Sequence, residues 1–258
     1  MDYFEKLESN PYRDLIWNIP EQKQGRINVI GGNKHSFRTE IKTAEYLATT
    51  YPLEAVSVVL PDVLKNQLPV LPNLVFIGST ESGSFGSSDQ LTKTMEHADY
   101  NLLIGDLSKN SVTGHAIVDA CSNLKQPLLI TKDTIDLISE IGAEKVLLNN
   151  VTVMLSLTQL QKLLRAIYYP KMLTLSQSLV QVAELLHKFT ISYPVLIVTL
   201  HNGQLLVAEE GQVKAVALEK TNYTPVNLWM GEAAARVAAL SIYNPSNRIA
   251  ATVAAILS

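Results

Sequence analysis

The sequence is poor in cysteine and in charge, and both shortages exclude classes of protein. Cys121 is the single cysteine among 258 residues, so the chain cannot hold an intrachain disulfide framework or a zinc site built from several cysteines. Charged residues make up 17% of the chain, against about 25% in an average soluble protein, and the net charge is -3. Without a basic surplus or a polybasic run, we expect no nucleic-acid partner and no binding to a membrane surface.

Glycine is also scarce, at 12 of 258 residues, or about 5%, where about 7% is usual. No G-x-G-x-x-G pattern follows a predicted strand and no G-x-x-x-x-G-K-[ST] pattern occurs, which excludes the common Rossmann and P-loop nucleotide sites. The most apolar stretch, residues 249–257, is about half as long as the roughly 20 residues that a membrane-spanning helix needs. Residues 1–8 are acidic and lack the features of a secretory signal, so we expect a cytoplasmic protein.

The chain does contain 47% hydrophobic residues, arranged in short apolar runs that alternate with helical patterns. This alternation predicts an α/β protein with a mostly parallel central sheet, helices on both faces and a late antiparallel hairpin. The predicted strands are residues 26–30, 55–60, 74–77, 101–104, 127–130, 145–148, 194–200, 204–208 and 212–218, and the predicted helices are residues 39–50, 112–124, 133–141, 157–167, 173–189, 228–243 and 246–257. We expect an N-terminal arm, residues 1–24, followed by a single domain, residues 25–258. The low charge and the alanine-rich helices near the C-terminus also predict a homo-oligomer.

Three parts of the sequence, taken in order, resemble the ribokinase-like fold and, within it, the ADP- or ATP-dependent NAD(P)H-hydrate dehydratases. They are residues 25–34, which end in a strand and the turn Gly31-Gly32-Asn33-Lys34; residues 102–105 with 127–133; and residues 227–232, Asn-Leu-Trp-Met-Gly-Glu, which lead into an alanine-rich helix. The last part lies where the family has a small-x-Gly-Asp turn that opens a long helix. The resemblance spans residues 25–257 and implies a three-layer α/β/α ribokinase-like domain.

The sequence departs from this family at each of its motifs. The glycine-rich loop after Gly105 is replaced by Asp106-Leu107-Ser108-Lys109-Asn110, and Thr131 replaces the first acid of the Asp-x-Asp motif, so that only Asp133 remains. The family's His-Pro-Gly-Glu motif would fall near residues 156–159, where none of these four residue types is present. Its Lys-Gly pair would fall near Leu200-His201. Because nucleotide binding needs close backbone approach and charge pairing, we expect weak or absent binding of ATP and ADP.

Glu232 is the candidate catalytic residue, because it takes the place of the family's catalytic Asp at the start of the last long helices. A carboxylate at a helix N-terminus that holds a phosphate can accept a proton from the hydroxyl that attacks it. The alternative is that Glu232 only complements the helix dipole. The resemblance also implies cofactor contacts from Asn227, Met230 and Gly231 in the same turn, and a nucleotide such as ADP or ATP with Mg²⁺.

Two further candidates lie at predicted strand ends. Lys34, with His35 beside it, follows a strand and can pair with a phosphate, although a polar loop is also what a strand-to-helix turn requires. Asp133 is the surviving acid of the Asp-x-Asp motif. The loop Gly83–Ser88 can fold over a ligand or simply be a surface loop that caps the next helix. The five histidines have no i, i+4 pairing, which predicts no metal site.

These observations leave three functions open. The first is a divergent NAD(P)H-hydrate dehydratase with a small-molecule nucleotide or dinucleotide ligand and with lost or altered catalysis. The second is a non-catalytic ligand-binding or assembly protein on the same fold. The third is a small-molecule kinase of the same fold.

Overall fold

One ten-stranded sheet organises the protein in the computed structural model, which describes residues 2–257 and, for Trp17, the backbone alone. The strands are β1 (Phe4–Leu7), β2 (Arg26–Gly31), β3 (Ala55–Pro61), β4 (Leu74–Ile77), β5 (Tyr100–Gly105), β6 (Leu128–Thr131), β7 (Val151–Met154), β8 (Leu196–His201), β9 (Gln204–Glu209) and β10 (Gln212–Ala217). Their order across the sheet is β1-β10-β9-β8-β7-β6-β5-β2-β3-β4. Neighbouring strands run parallel except at β9, which is antiparallel to both β8 and β10.

Helices cover both faces of this sheet. They are α1 (Asp14–Trp17), α2 (Arg38–Thr50), α3 (Ser88–Glu96), α4 (Ser111–Ser122), α5 (Asp133–Ile141), α6 (Leu157–Ala166), α7 (Leu179–Ser192), α8 (Glu232–Tyr243) and α9 (Arg248–Leu257). Helices α2, α8 and α9 pack on one face, and α3 to α7 pack on the other. The predicted three-layer α/β/α architecture, with its mostly parallel sheet and late hairpin, is confirmed.

The strand sequences are continuously apolar because both faces of the sheet are buried. In β5, Leu102 and Ile104 contribute to the core under α2 and α8, whereas Leu103 contributes to the core on the opposite face. All three side chains are fully buried. A strand covered by helices on both sides has no solvent-facing position, which explains why period-two alternation is missing from the sequence.

The N-terminal segment, predicted as an arm, adds an edge strand to the sheet. Strand β1 pairs in parallel with β10, from Phe4 opposite Val213 to Leu7 opposite Val216. An ion pair between Glu5 and Lys214 supports the pairing from the side. The segment therefore binds the edge of the sheet that lies farthest from β4.

The predicted strand at residues 145–148 is wrong. Residues Ala143–Lys145 form a turn of 3-10 helix, and the strand that follows is β7, which begins at Val151. Val146 and Leu147 are apolar because they are buried in the core beneath the helices, not because they are paired in a sheet. The strand is formed by the β-branched residues that come after them, as their propensity favours.

Three predicted helix starts are also wrong, and local hydrogen bonds and dihedral angles explain two of them. The helix predicted from residue 173 begins at Leu179, because Ser178 and Gln181 form a reciprocal capping box at its N-terminus. The helix predicted from residue 228 begins at Glu232, because Gly231 has a φ of 100° and interrupts the helical path after a 3-10 turn. The last helix begins at Arg248, two residues later than predicted. Within residues 2–257, no helix is both long and apolar enough to cross a membrane.

Candidate functional site

The strand order reverses direction between β2 and β5, and this point defines the candidate site. From β2 the sheet continues to β3 and β4 on one side, and from β5 it continues through β6 to β8 on the other. Open α/β sheets bind their ligands outside the carboxyl ends of the strands at such a switch point. Strands β2 and β5 end there at Gly31 and Gly105, which face each other across a shift in register.

These two glycines allow a very close approach of polar groups. A Cβ atom on Gly31 would lie 2.5 Å from Glu40 Oε1 and 2.5 Å from the carbonyl oxygen of Gly105. A Cβ atom on Gly105, whose φ is 93°, would lie 2.0 Å from Asp133 Oδ1. A side chain at either position would displace the backbone or a carboxylate. Glycine is therefore required at both strand ends by packing, and at Gly105 also by backbone conformation.

The carboxylate of Asp133 binds backbone groups at this edge of the sheet. Its two carboxylate oxygens accept hydrogen bonds from the backbone N–H groups of Asp106 and Leu107, at 2.8 and 3.0 Å. Burial raises the pKa of Asp133 above its usual value, although these two hydrogen bonds act in the opposite direction. The carboxylate thus holds the turn that follows β5.

Asp106 and Lys132 form an ion pair in the same turn region, with Lys132 Nζ 2.9 Å from Asp106 Oδ1. Both residues have positive φ angles, of 54° and 57°, which are uncommon outside glycine. The hydroxyl of Thr39 donates to Asp106 Oδ2 at 2.9 Å. Burial alone would raise the pKa of Asp106, but the hydrogen bond and charge of Lys132 and the bond from Thr39 bring it below the usual value.

Glu40 is the most perturbed group of this cluster. Its side chain is fully buried in the first turn of α2, and neither carboxylate oxygen has a hydrogen-bond partner within residues 2–257. The pKa of Glu40 is raised to about 8, chiefly by burial; the charges of Asp106 and Asp133 act in the same direction, and the backbone N–H of Glu40 and the charge of Lys132 act against it. Glu40 therefore carries a proton at neutral pH.

The N-terminus of α8 faces α2 across a narrow gap. A Cβ atom on Gly231 would lie 2.6 Å from the hydroxyl oxygen of Thr43, which is 4% exposed. No side chain caps the first turn of α8. The first N–H groups of a helix have no intrahelical partners, and they lie at the positive end of the helix dipole.

A pocket of about 380 Å³ opens between α2 and the turn that precedes α8. We call it the α2–α8 pocket, and its lining residues are Arg38, Thr39, Lys42, Thr43, Tyr46, Asn227, Met230 and Glu232. Two of them are cations and one is a carboxylate. Arg38, Lys42 and Tyr46 are spaced four positions apart, as are Thr39 and Thr43, so the residues from α2 share one broad face of the helix.

The structure brings together four of the six residues predicted from the sequence. Asn227, Met230 and Glu232 line the α2–α8 pocket, and Gly231 lies beside Thr43 at its wall. The remaining two, described next, lie elsewhere.

Lys34 and Asp133 are not among the residues that line the α2–α8 pocket. The side chain of Lys34 lies against Gly83, where a Cβ atom would be 2.7 Å from its Cδ. Asp133 binds the backbone after β5, as described above. The loop Gly83–Ser88 is packed in place, since Ser84 and Phe85 are fully buried and Ser87 caps α3.

The sequence reasoning missed Glu40 and the cationic face of α2. The spacing of Arg38, Lys42 and Tyr46, four residues apart, was a signal that one helix face is polar and aligned. Glu40 gave no such signal, because an acid in the first turn of a helix is common for electrostatic reasons.

Two family motif positions have structural roles in this chain. Ser156 and Gln159 form a capping box at the start of α6, where the family has His-Pro-Gly-Glu. His201, near the family's Lys-Gly pair, is buried, and its Nε2 lies 2.7 Å from the carbonyl oxygen of Gln177. Neither position presents a free charge to a phosphate.

The residues of the site do not form a metal centre. Among residues 2–257, no group of three or more His, Cys, Asp or Glu side chains is placed to hold a metal ion. The carboxylates nearest the strand ends, Asp106 and Asp133, are occupied by Lys132 and by backbone N–H groups. The Mg²⁺ implied by the family resemblance therefore has no site of three protein ligands within residues 2–257.

Comparison with known proteins gives structural relatives only. No protein-family description matches the chain by sequence, and no curated protein sequence matches it. A hypothetical protein from Streptococcus mutans superposes with a TM-score of 0.67 and 16% identity, over 95% of this chain and 84% of its own. A ribokinase-like superfamily protein from Enterococcus faecalis gives 0.65 and 15%, over 98% and 85%.

A third structure, YxkO of Bacillus subtilis, belongs to the UPF0031 family and superposes with a TM-score of 0.62 and 10% identity. The alignment covers 96% of this chain and 85% of that one. At such identities a likeness shows the fold and nothing finer. The protein has the ribokinase-like fold.

Proposed function

We propose that the protein is a divergent relative of the nucleotide-dependent NAD(P)H-hydrate dehydratases that binds a nucleotide or dinucleotide in the α2–α8 pocket. The position of the pocket is the observation that carries this proposal. It lies beside the switch point between β2 and β5 and next to the uncapped N-terminus of α8. Both features favour a small anionic ligand, and a volume of about 380 Å³ is within the usual range for such pockets.

Glu232 is the residue through which this pocket can carry out chemistry. It is exposed, it is the first residue of α8, and it is the sole carboxylate among the lining residues. When a phosphoryl donor is bound, the carboxylate can take the proton of a substrate hydroxyl while that oxygen bonds to the terminal phosphorus and the bond to the leaving oxygen breaks. In a dehydratase, the new phosphate then leaves the hydrated ring together with a proton from the adjacent ring carbon, so that a double bond forms and the removal of water is complete.

The departures from the family pattern argue for binding with reduced catalysis. The charge of Asp106 is paired with Lys132, and His201 is held by a backbone carbonyl, so these positions do not serve a polyphosphate. We therefore propose that ligand binding is the retained function and that phosphoryl-dependent dehydration is slow or lost. The second candidate, a kinase for a small alcohol, is favoured by the same placement of Glu232.

A binding screen tests the proposal. Thermal unfolding is measured with AMP, ADP, ATP, NAD⁺ and hydrated NADPH, and with small alcohols as the kinase arm. A ligand at 100 times its Kd stabilises the folded state by about 2.7 kcal/mol when it does not bind the unfolded chain. We expect stabilisation by AMP, NAD⁺ or hydrated NADPH, and weak or no stabilisation by ADP and ATP. Stabilisation by small alcohols alone would favour the kinase, and no stabilisation by any compound would contradict ligand binding.

A further inference from the structure

We infer that Glu40 is a proton-controlled latch at the junction of β2, β5 and α2. The uncharged carboxyl group holds the first two turns of α2 against the strand ends, and loss of its proton releases them. Because the same turns form one wall of the α2–α8 pocket, the latch couples the shape of that pocket to pH. The latch is built from the chain alone and acts whichever ligand the pocket takes.

The first observation is the position of the carboxyl group between two strand ends. Glu40 is fully buried, and neither of its oxygens has a hydrogen-bond partner within residues 2–257. A Cβ atom on Gly31 would lie 2.5 Å from Glu40 Oε1 and 2.5 Å from the carbonyl oxygen of Gly105, so both oxygens lie close to the same point of β2. Two acceptor oxygens are tolerated in one dry space when one of them carries a proton, since a protonated carboxyl group becomes a donor. The geometry therefore favours the uncharged form of Glu40.

The charges around this junction also oppose the ionisation of Glu40. Asp106 after β5 and Asp133 at the start of α5 carry carboxylates, and Lys132 is the cation beside them, already paired with Asp106. An ionised Glu40 would add a third negative charge to one positive charge, and an uncompensated buried charge is costly. Burial chiefly, with the two carboxylates, raises the pKa of Glu40 to about 8 against the effect of Lys132.

The other charged residues of the elements packed around Glu40 have different surroundings. In β2 and β3 the one charged residue is Arg26, at the opposite end of β2 from Gly31. On α2 and α8, three charged residues line the α2–α8 pocket, one lies near tyrosines and one is exposed; in that order they are Arg38, Lys42 and Glu232, then Arg236, then Glu45. Water is therefore the environment that can stabilise an ionised Glu40, and it reaches the carboxylate when α2 moves.

The start of α2 is the part of this junction that we expect to move. Its N-cap residue, Phe37, makes no side-chain hydrogen bond to the first turn. The turn is tied to the strand ends by the hydroxyl of Thr39, which donates to Asp106 Oδ2 at 2.9 Å. Ionisation of Glu40 places a like charge close to Asp106, the acceptor of that bond. Because Arg38 and Thr39 of the same turn line the α2–α8 pocket, release of the turn changes the wall of the pocket.

Hydrogen exchange of single amides, measured by NMR and corrected for the intrinsic pH dependence of exchange, tests the latch. The reporters are the amides of residues 42–44, which donate within the first turns of α2, and the amide of Gly32, which donates to the carbonyl oxygen of Gly105 at 2.9 Å. If opening exposes Glu40, the open population rises about tenfold per pH unit between its usual pKa of 4.5 and its pKa of about 8 in the closed state. We therefore expect the protection of these amides to fall about tenfold from pH 6 to pH 7. We also expect it to be lower than the protection of amides in α7, on the other face of the sheet.

Two variants complete the experiment. Glu40→Gln keeps the size of the side chain and cannot ionise, so its protection at residues 42–44 should not change with pH, whereas Glu45→Gln, exposed on the same helix, should behave as the natural sequence does. Protection at residues 42–44 that is independent of pH in the natural sequence, or the same pH dependence in Glu40→Gln, would overturn the latch. Equal protection of α2 and α7 at every pH would also overturn it, since α2 would then open only when the whole chain unfolds. The natural sequence decides the result by itself if Glu40→Gln does not fold.

Discussion

Glu40 is expected to make the stability of this protein fall as the pH rises from about 4.5 to about 8. Its pKa is about 8 in the folded protein, because the side chain is buried, and about 4.5 in the unfolded chain. The folded state therefore holds a proton that the unfolded state releases, and stability falls with pH between these two values. Each pH unit in this interval corresponds to about 1.4 kcal/mol of unfolding free energy for one proton.

The magnitude follows from these two pKa values. From pH 6 to pH 8 the contribution of Glu40 is expected to lower the free energy of unfolding by about 2 kcal/mol. Above pH 8 the loss approaches about 5 kcal/mol, the full effect of ionising a buried carboxyl whose oxygens have no hydrogen-bond partner. Below pH 4.5 the group is protonated in both states and has no influence on the pH dependence.

The measurement is urea unfolding at several pH values between 6 and 8. Glu40→Gln keeps the size of the side chain and removes the ionisation, so the variant should lose about 2 kcal/mol less than the natural sequence over this interval. Glu45→Gln is the matched control, because Glu45 lies on the same helix and is exposed. Identical pH slopes for the natural sequence and Glu40→Gln would refute the reasoning.

Three further predictions follow from the packing and the site. Gly231→Ala should lower the free energy of unfolding in urea by about 2–4 kcal/mol, because it adds a clash with Thr43 to a backbone with positive φ. The control Gly203→Ala, at φ 70° with open space around it, should lower it by about 1–2 kcal/mol through the backbone alone. Equal losses would show that α2 and α8 are not in close contact at this position. If a dehydration or kinase activity is found, Glu232→Gln should lower turnover by about 10²–10⁴ as the loss of a general base, and an unchanged turnover would leave Glu232 a helix-dipole residue. Light scattering at micromolar concentration should give a dimer or a larger closed oligomer, and a monomer mass would contradict the prediction from low charge and alanine-rich helices.

The order of the elements could be predicted from the sequence because strands and helices have different hydrophobic periods. Residues 74–77 and 133–141 occur as predicted, since each is a single apolar pattern bounded by clear turn signals. The error at residues 145–148 arose because buried loops and buried strands are equally apolar. The start of α7 could have been found, since Ser178 and Gln181 have the spacing of a capping box.

The site was harder to predict because it depends on contacts between distant segments. The turn 227–232 could be placed at a helix start from local sequence alone. The partner of that turn, the cationic face of α2, lies almost 200 residues earlier in the chain. The position of the Glu40 carboxylate depends on Gly31 having no side chain, and no local pattern contains that information.

The pairing of β1 with β10 has a consequence for the order of folding. Glu5 and Lys214, which meet at this edge, are 209 residues apart in sequence. At a synthesis rate of about 5–20 residues per second, the N-terminal strand waits about 10–40 s before its partner leaves the ribosome. Contacts at such separation form late, because the chain between them must first be ordered. Until β1 pairs with it, the edge of β10 has unpaired backbone N–H and C=O groups. During this interval a strand of another chain can bind to β10 in place of β1.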